Sequence, residues 1–295
     1  MRFRITLLAV LATVVAVFVG RADAITGNFQ DDFVHDYVGL IVFYTDDDPV
    51  SATHDPFSHR CTGTLISPTV MVTAGHCTTG VDFGRVYFQQ STSPGYDDDA
   101  FFGFGGDPNT GYPYEGGVTF SEADNFGFDG VSFPDTKDLG VVVLDQPVTP
   151  PSGLFGLLPT AGAVTDYIDG DDTQGKDKTS KKDVRFTASG YGLSDTTPAV
   201  VSFRERLMAS SYLVNDHSAN TDGFNIQTTA NASQGKGGTC SGDSGGPIFI
   251  EGTRVIAAVN SFGFNARCRG VDFSYRLDRA PVLSWINDPA RSDAG

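Results

Sequence analysis

Three segments of this chain bring together residue types that perform nucleophilic acyl transfer: Thr73-Ala74-Gly75-His76-Cys77, Asp138-Leu139-Gly140-Val141-Val142-Val143-Leu144 and Thr239-Cys240-Ser241-Gly242-Asp243-Ser244-Gly245-Gly246-Pro247. A serine hydroxyl is a weak nucleophile at neutral pH and needs a base within hydrogen-bond reach. His76 is the candidate base for Ser244. An ionised carboxylate must hold its ring in the right tautomer, and Asp138, opening a Val-rich strand, is placed for that. The glycines around Ser244 let backbone N–H groups approach a carbonyl oxygen. The amides of Gly242 and Ser244 are the candidate oxyanion donors, each worth about 3 kcal/mol. Each piece has a bland reading taken alone: a hydrogen-bonded core histidine, a turn aspartate, a glycine-rich turn. Their joint occurrence, in the order His, Asp, Ser, carries the signal.

Gly242-Asp243-Ser244-Gly245-Gly246 also satisfies G-x-S-x-G, the nucleophile elbow of α/β-hydrolases. That fold needs its histidine after the serine, whereas His35, His54, His59, His76 and His217 all precede Ser244.

The elements that must position these residues read as short strands. Apolar runs recur between Gly, Pro and Asp punctuation at Tyr37–Tyr44, Gly63–Ile66, Thr69–Thr73, Val86–Gln89, Gly140–Leu144, Val184–Ser189, Pro247–Ile250 and Arg254–Val259. Thirty-five glycines and 23 phenylalanines against 3 methionines agree with many strands and turns rather than long helices. An all-β barrel or sandwich is expected. Ser91–Lys137, with Phe101-Phe102-Gly103-Phe104-Gly105-Gly106, and Asp166–Asp183 read as long irregular surface insertions. Their aspartates lack EF-hand spacing and read as a solvated acidic face. Pro147, Pro150 and Pro151 mark a break that divides residues 25–150 from 151–295, and Leu277–Ile286 predicts a short helix with Pro281 in its first turn.

Residues 1–24 read as an export signal. Arg2 and Arg4 precede a 16-residue apolar or small run, Ile5–Gly20, followed by Ala22-Asp23-Ala24. The run falls short of the about 20 residues that span a bilayer. Removing the segment takes away three Arg and one Asp, lowering the formal net charge from −16 to −18. So acidic a surface repels phosphate backbones and anionic headgroups, which argues against nucleic-acid or anionic-membrane partners. Export suits the four cysteines, Cys61, Cys77, Cys240 and Cys268. They allow three connectivities; the local one, Cys61 with Cys77 and Cys240 with Cys268, closes two short loops worth about 3 kcal/mol each. A zinc site is the rival, but no C-x-x-C occurs and the histidine spacing is wrong for a finger.

The three segments together resemble the chymotrypsin/trypsin family of serine endopeptidases, and in particular its secreted bacterial members. Cys61 lies 15 residues before His76, as in the family's histidine loop, and Cys240 lies four before Ser244. Ser261-Phe262-Gly263 resembles the Ser-Trp-Gly segment that pairs with substrate backbone, and Ala188-Ser189-Gly190-Tyr191-Gly192 the strand opening the second barrel. The resemblance implies an all-β fold of two perpendicular antiparallel six-stranded β-barrels with a short C-terminal helix. It implies a monomer acting outside the cell on protein or peptide substrates, with no metal and no organic cofactor. The long separation of His76 from Asp138 departs from the family and suggests that the insertion covers or narrows the cleft. The aspartate that family members selective for Arg or Lys carry six residues before the serine is Gly238 here, followed by Thr239. A neutral pocket with Gly263 leaving one wall open is therefore expected, with Asp272 read as pointing to solvent, the alternative being that it lines the pocket's rear wall and brings a charge from another direction. Cleavage after Ala24 would expose Ile25-Thr26-Gly27-Asn28, resembling the family's Ile-Val-Gly-Gly start, whose ammonium would pair with Asp243.

Overall fold

The computed structural model describes residues 25–44, 57–81, 83–92, 116–170, 183–194 and 204–288. The expected export signal, the Phe101–Gly106 run and Asp171–Lys182 lie outside the described residues.

Two short strands come first, β1 (Thr26–Gly27) and β2 (Phe29–Asp31). Six more, β3 (Val38–Tyr44), β4 (Phe57–Leu65), β5 (Val70–Thr73), β6 (Gly84–Tyr87), β7 (Gly117–Asn125) and β8 (Gly140–Leu144), close a barrel in the order β3-β4-β5-β8-β7-β6. The strands β9 (Arg185–Gly190), β10 (Leu207–Asn215), β11 (Asn225–Ala230), β12 (Gly237–Gly238), β13 (Pro247–Ile250), β14 (Ile256–Gly263) and β15 (Gly270–Arg276) follow. Among them β9, β10, β11, β15, β14 and β13 pair in a ring, every pair antiparallel, forming the second barrel. Closure removes the sheet edges that would otherwise invite pairing with other chains.

Val-, Ile- and Leu-rich strands build the first barrel because branched side chains pack well on a pleated, buried surface. Every residue of β3, β5 and β8 is buried. The larger apolar cluster runs through this barrel into the second, taking in Tyr191, Phe249, Val259, Tyr275 and Leu277. A smaller one, including Ile25, Phe186, Leu207 and Ile248, fills the second barrel. Between α1 (Gly75–Thr78) and α3 (Ala280–Ile286), which carries Pro281 in its first turn as expected, lies a helix the sequence does not announce, α2 (Ala163–Asp169).

Two expectations change. The Ser91–Lys137 insertion is not irregular throughout, because β7 lies inside it and closes the first barrel between β6 and β8. The division at residue 150 is also crossed, since β1 pairs with β12 and β2 with β10 of the second barrel.

A buried polar node secures that crossing. Asp32, fully buried, accepts bonds from Ser189 Oγ (2.5 Å) and the His35 amide (3.0 Å), and its Oδ2 lies 2.9 Å from His35 Nδ1. Arg206 donates to the Asp32 and Phe88 carbonyls (3.1 and 2.9 Å). Burial pushes the Asp32 carboxyl up, but His35 and Ser189 outweigh it and hold the group below its ordinary 3.8. A lowered carboxylate pKa stabilises the fold above 3.8, and that contribution is lost as pH falls through the lowered value. Asp32→Ala should therefore cost about 3 kcal/mol at pH 7, with a gap in melting temperature that narrows below pH 3.8. Paired thermal melts across pH 2.5–7 check this; a gap that does not vary with pH would remove the charge from the explanation.

Candidate active site

His76 sits on α1, immediately after β5, and Asp138 lies two residues before β8. Since β5 and β8 pair with Thr73 opposite Gly140, the sheet register brings the two side chains together across 62 residues of sequence. His76 Nδ1 lies 2.9 Å from Asp138 Oδ2, and the His76 amide donates to Asp138 Oδ1 at 2.7 Å. The histidine side chain is 32% exposed and the aspartate's 1%, so the carboxylate is shielded while the imidazole reaches the cleft. Ser261 Oγ also donates to Asp138 Oδ2. The sequence marked Ser261 for its backbone; its hydroxyl is a third hydrogen bond on the carboxylate.

Ser244 comes from the second barrel, on the turn between β12 and β13. Its presentation depends on tight backbone turns: Asp243 N donates to Cys240 O (3.0 Å) and Gly246 N to Asp243 O (2.8 Å). Gly242 and Gly245 have φ of +97° and +80°, a region costly for residues with a Cβ. At Gly245 a Cβ would also lie 2.0 Å from Thr73 Oγ1. The Thr62 amide donates to Ser244 O (2.8 Å) and Thr62 Oγ1 to Gly242 O (2.9 Å), fastening this turn to β4 of the first barrel. Neither the Gly242 nor the Ser244 amide is hydrogen-bonded within the described residues, which leaves both as donors.

His76, Asp138 and Ser244 line one cleft of about 330 Å³ between the barrels, together with Thr239, Phe262 and Asp272. Phe128 and Val131, from the segment between β7 and β8, form part of its wall. Both expected disulfides are present, Cys61–Cys77 and Cys240–Cys268. Cys61, His76 and Cys77 converge as metal ligands would, but a disulfide has no thiolate to offer a metal.

The pocket differs from expectation. Asp272 does not point to solvent: it is 3% exposed, accepts the Thr239 amide at 2.7 Å and lies in the cleft beside Gly238 and Gly263. β15 is sandwiched between β11 and β14, which turns Asp272 inward opposite Thr228 and Gly263.

Asp243 is fully buried and accepts the amides of Gly192 (2.7 Å) and Cys240 (2.9 Å). Burial still pushes it up to about 7, with Arg60 and the two amides pulling the other way. In the uncleaved chain residue 25 carries a peptide nitrogen, so the ammonium pair with Asp243 is not formed here. Its setting is nevertheless defined: Thr26 pairs antiparallel with Gly238, which puts Ile25 level with Thr239, next to the Cys240 amide that holds Asp243.

None of the curated proteins compared with the chain matches it. Solved structures do share its fold. HL collagenase aligns at 16% identity with a TM-score of 0.62, covering 90% of this chain and 98% of that one. HBP, a heparin-binding protein known here from human structures, aligns at 20% and 0.56, covering 88% and 95%. A Glu endopeptidase aligns at 16% and 0.52, covering 90% and 98%. The Trypsin family profile matches residues 46–286, most of the sequence. With a two-barrel fold, a His–Asp pair and a serine lining one cleft and that match, the chain belongs to the trypsin family of serine endopeptidases.

Proposed function

We propose that the protein is a secreted endopeptidase whose catalytic unit is Ser244, His76 and Asp138. The observation that carries this is the cleft lined by both the Asp138-bound imidazole and Ser244, with the amides of Gly242 and Ser244 unpaired among the described residues. With Nδ1–H bonded to Asp138, Nε2 is the basic nitrogen and takes the proton as Ser244 Oγ attacks a peptide carbonyl. The oxyanion that forms is met by the two amides. The resulting imidazolium, stabilised by Asp138, protonates the leaving amine, and water then releases the acyl group by the same route in reverse. Ser261, through Asp138, is a positioning residue.

The export segment and the two disulfides support action outside the cell. The strong net negative charge supports a freely dissolved monomer that does not adhere to anionic membranes. No helix among the described residues is long and apolar enough to cross a bilayer. Activation is proposed to follow removal of residues 1–24, with the Ile25 ammonium pairing with Asp243.

A second reading, a binding protein on the same fold, has a counterpart in the heparin-binding neighbour, although a chain of −16 repels polyanions. One experiment separates the two. A fluorophosphonate probe should label the mature wild type stoichiometrically and leave Ser244→Ala unlabelled. Failure to label correctly folded wild type would favour the binding protein.

A further inference from the structure

The stretch of chain that carries Asp138 belongs to the first barrel but is fastened from the second. Asn225 opens β11, and both it and Thr136 are buried. Asn225 Nδ2 donates to Pro134 O at 2.7 Å, and Thr136 Oγ1 donates to Asn225 Oδ1 at 3.2 Å. A proline carbonyl can only accept, which fixes the amide's orientation and satisfies both of its ends. Beside this pair, Asp135 accepts from Tyr275 Oη (2.8 Å). The Arg279 guanidinium, stacked on the Phe224 ring at 3.9 Å, donates to the same tyrosine oxygen (2.7 Å). Among the described residues, the side-chain bonds of Asp135 and Thr136 thus run to β11, β15 and the start of α3, and none to the first barrel.

The backbone here needs such a hold. Lys137, between Thr136 and Asp138, has φ of +47°, a left-handed conformation that strains a residue with a Cβ. Leu139 N donates back to Lys137 O at 2.8 Å, and the tight turn delivers the Asp138 carboxylate to the amide and ring of His76. A residue stays in this conformation only where its surroundings fix it on both sides. Downstream, β8 and the contacts with His76 do so. Upstream, the hold on Pro134 and Thr136 is Asn225. β11 is joined through β15 to β14, whose Ser261 also donates to Asp138. The barrel that presents Ser244 therefore also sets the carboxylate on which His76 depends.

We propose that Asn225 is a positioning residue for acyl transfer: by gripping Pro134 and Thr136 it fixes the turn at Lys137, and with it the geometry in which Asp138 meets His76. The inference rests on the endopeptidase reading above, with Asp138 as its carboxylate, and adds a residue that lies outside the cleft and touches none of the triad.

The test compares Asn225→Ala, Thr136→Val and Thr136→Ser in the full mature protein. Asn225→Ala should lower kcat about a hundredfold, the scale of loss for a misplacement of about 1 Å. KM should stay within about threefold, because neither Asn225 nor Thr136 lines the cleft. Thr136→Val keeps the shape without the hydroxyl and should lose about tenfold by the same misplacement, while Thr136→Ser should restore turnover. Asp135→Asn keeps an acceptor for Tyr275 and leaves the grip of Asn225 in place. In an Asp138→Asn background, Asn225→Ala should lower kcat no further, since groups that act through one residue do not add. The proton on His76 Nδ1 should give a downfield ¹H resonance that broadens in Asn225→Ala and in Thr136→Val and returns in Thr136→Ser. A purely structural anchor would lower the melting temperature and move none of these. A lowered melting temperature with unchanged kcat, or a loss that persists in full on top of Asp138→Asn, would overturn the proposal. If Asn225→Ala does not fold, the Thr136 pair decides, and equal turnover in Thr136→Val and Thr136→Ser overturns it. Those outcomes leave the wild type active; a wild type that neither hydrolyses peptides nor takes up a fluorophosphonate would sink the endopeptidase reading with it.

Discussion

Ser244→Ala and His76→Ala should each lower kcat by about 10⁶-fold, and the double variant should be scarcely worse than either alone. Groups that act as one unit lose most of their effect when any essential member goes. What remains comes from the amides of Gly242 and Ser244 and from substrate binding. Asp138→Asn should cost about 10⁴-fold, the scale of loss when a triad carboxylate is neutralised and the imidazole takes the wrong tautomer. Asp135→Asn and Asp145→Asn provide the contrast. Asp135 accepts from Tyr275 Oη (2.8 Å) and lies 3.4 Å from Arg279, while Asp145 accepts from Ser121 Oγ (2.7 Å). Neither is bonded to the imidazole, and their effects on kcat should stay within about tenfold. Steady-state kinetics, with circular dichroism to confirm folding, measure all six variants. Near-normal turnover in Asp138→Asn would refute the assignment of the carboxylate.

A protein beginning at Ile25 should be about 10²–10³ times more active than the same protein with one extra residue before Ile25. The figure corresponds to about 3–4 kcal/mol, the lower part of the 3–5 kcal/mol at stake when one partner of a buried ion pair is lost. Asp243 is held by two amides yet still pushed up to about 7, so its charged form wants a cation. Cleavage after Ala24 turns a peptide nitrogen, which sits level with Thr239, into an ammonium. Pairing would stabilise the turn that aims Ser244 and its amides. An unpaired α-amino group loses its proton at a pKa of about 8. A partner carboxylate raises that value, so activity should persist through pH 8 and fall on the alkaline side. Asp243→Asn should mimic the extended start. Mass spectrometry of the secreted protein fixes the terminus, and kinetics on the two forms measure the effect. Full activity with the extra residue, or an active form beginning well downstream, would rule the pair out.

The residues that carry chemistry were legible without coordinates because their types and local neighbours are informative at any distance. Gly242 and Gly245 flank Ser244 because the turn needs them, and the two disulfides are local loops. Strands such as β3, β5 and β8 were legible because they are uniformly apolar. Others were not. β7 reads Gly-Val-Thr-Phe-Ser-Glu-Ala-Asp-Asn, with only Phe120 buried, and is a strand because β6 and β8 pair with it on either side. β10 and β11 carry several Ser, Thr, Asn and Gln residues and β15 carries Asp272, Ser274 and Arg276, and all three likewise take their state from neighbours.

Residue types and spacing by themselves singled out the candidate catalytic set and its chain order, favoured the local cysteine pairs and pointed to a fold made of short strands. Only the tertiary structure decided the environment of the charged groups. An aspartate in sequence reads as solvent-exposed, since isolated ones rarely lie buried, which left Asp32 unmarked and favoured solvent over the pocket wall for Asp272. Asp272 faces the cleft because β15 is held between β11 and β14, and Asp32 meets Ser189 across 157 residues. Both placements follow from barrel closure, a long-range pairing that no local window of sequence contains.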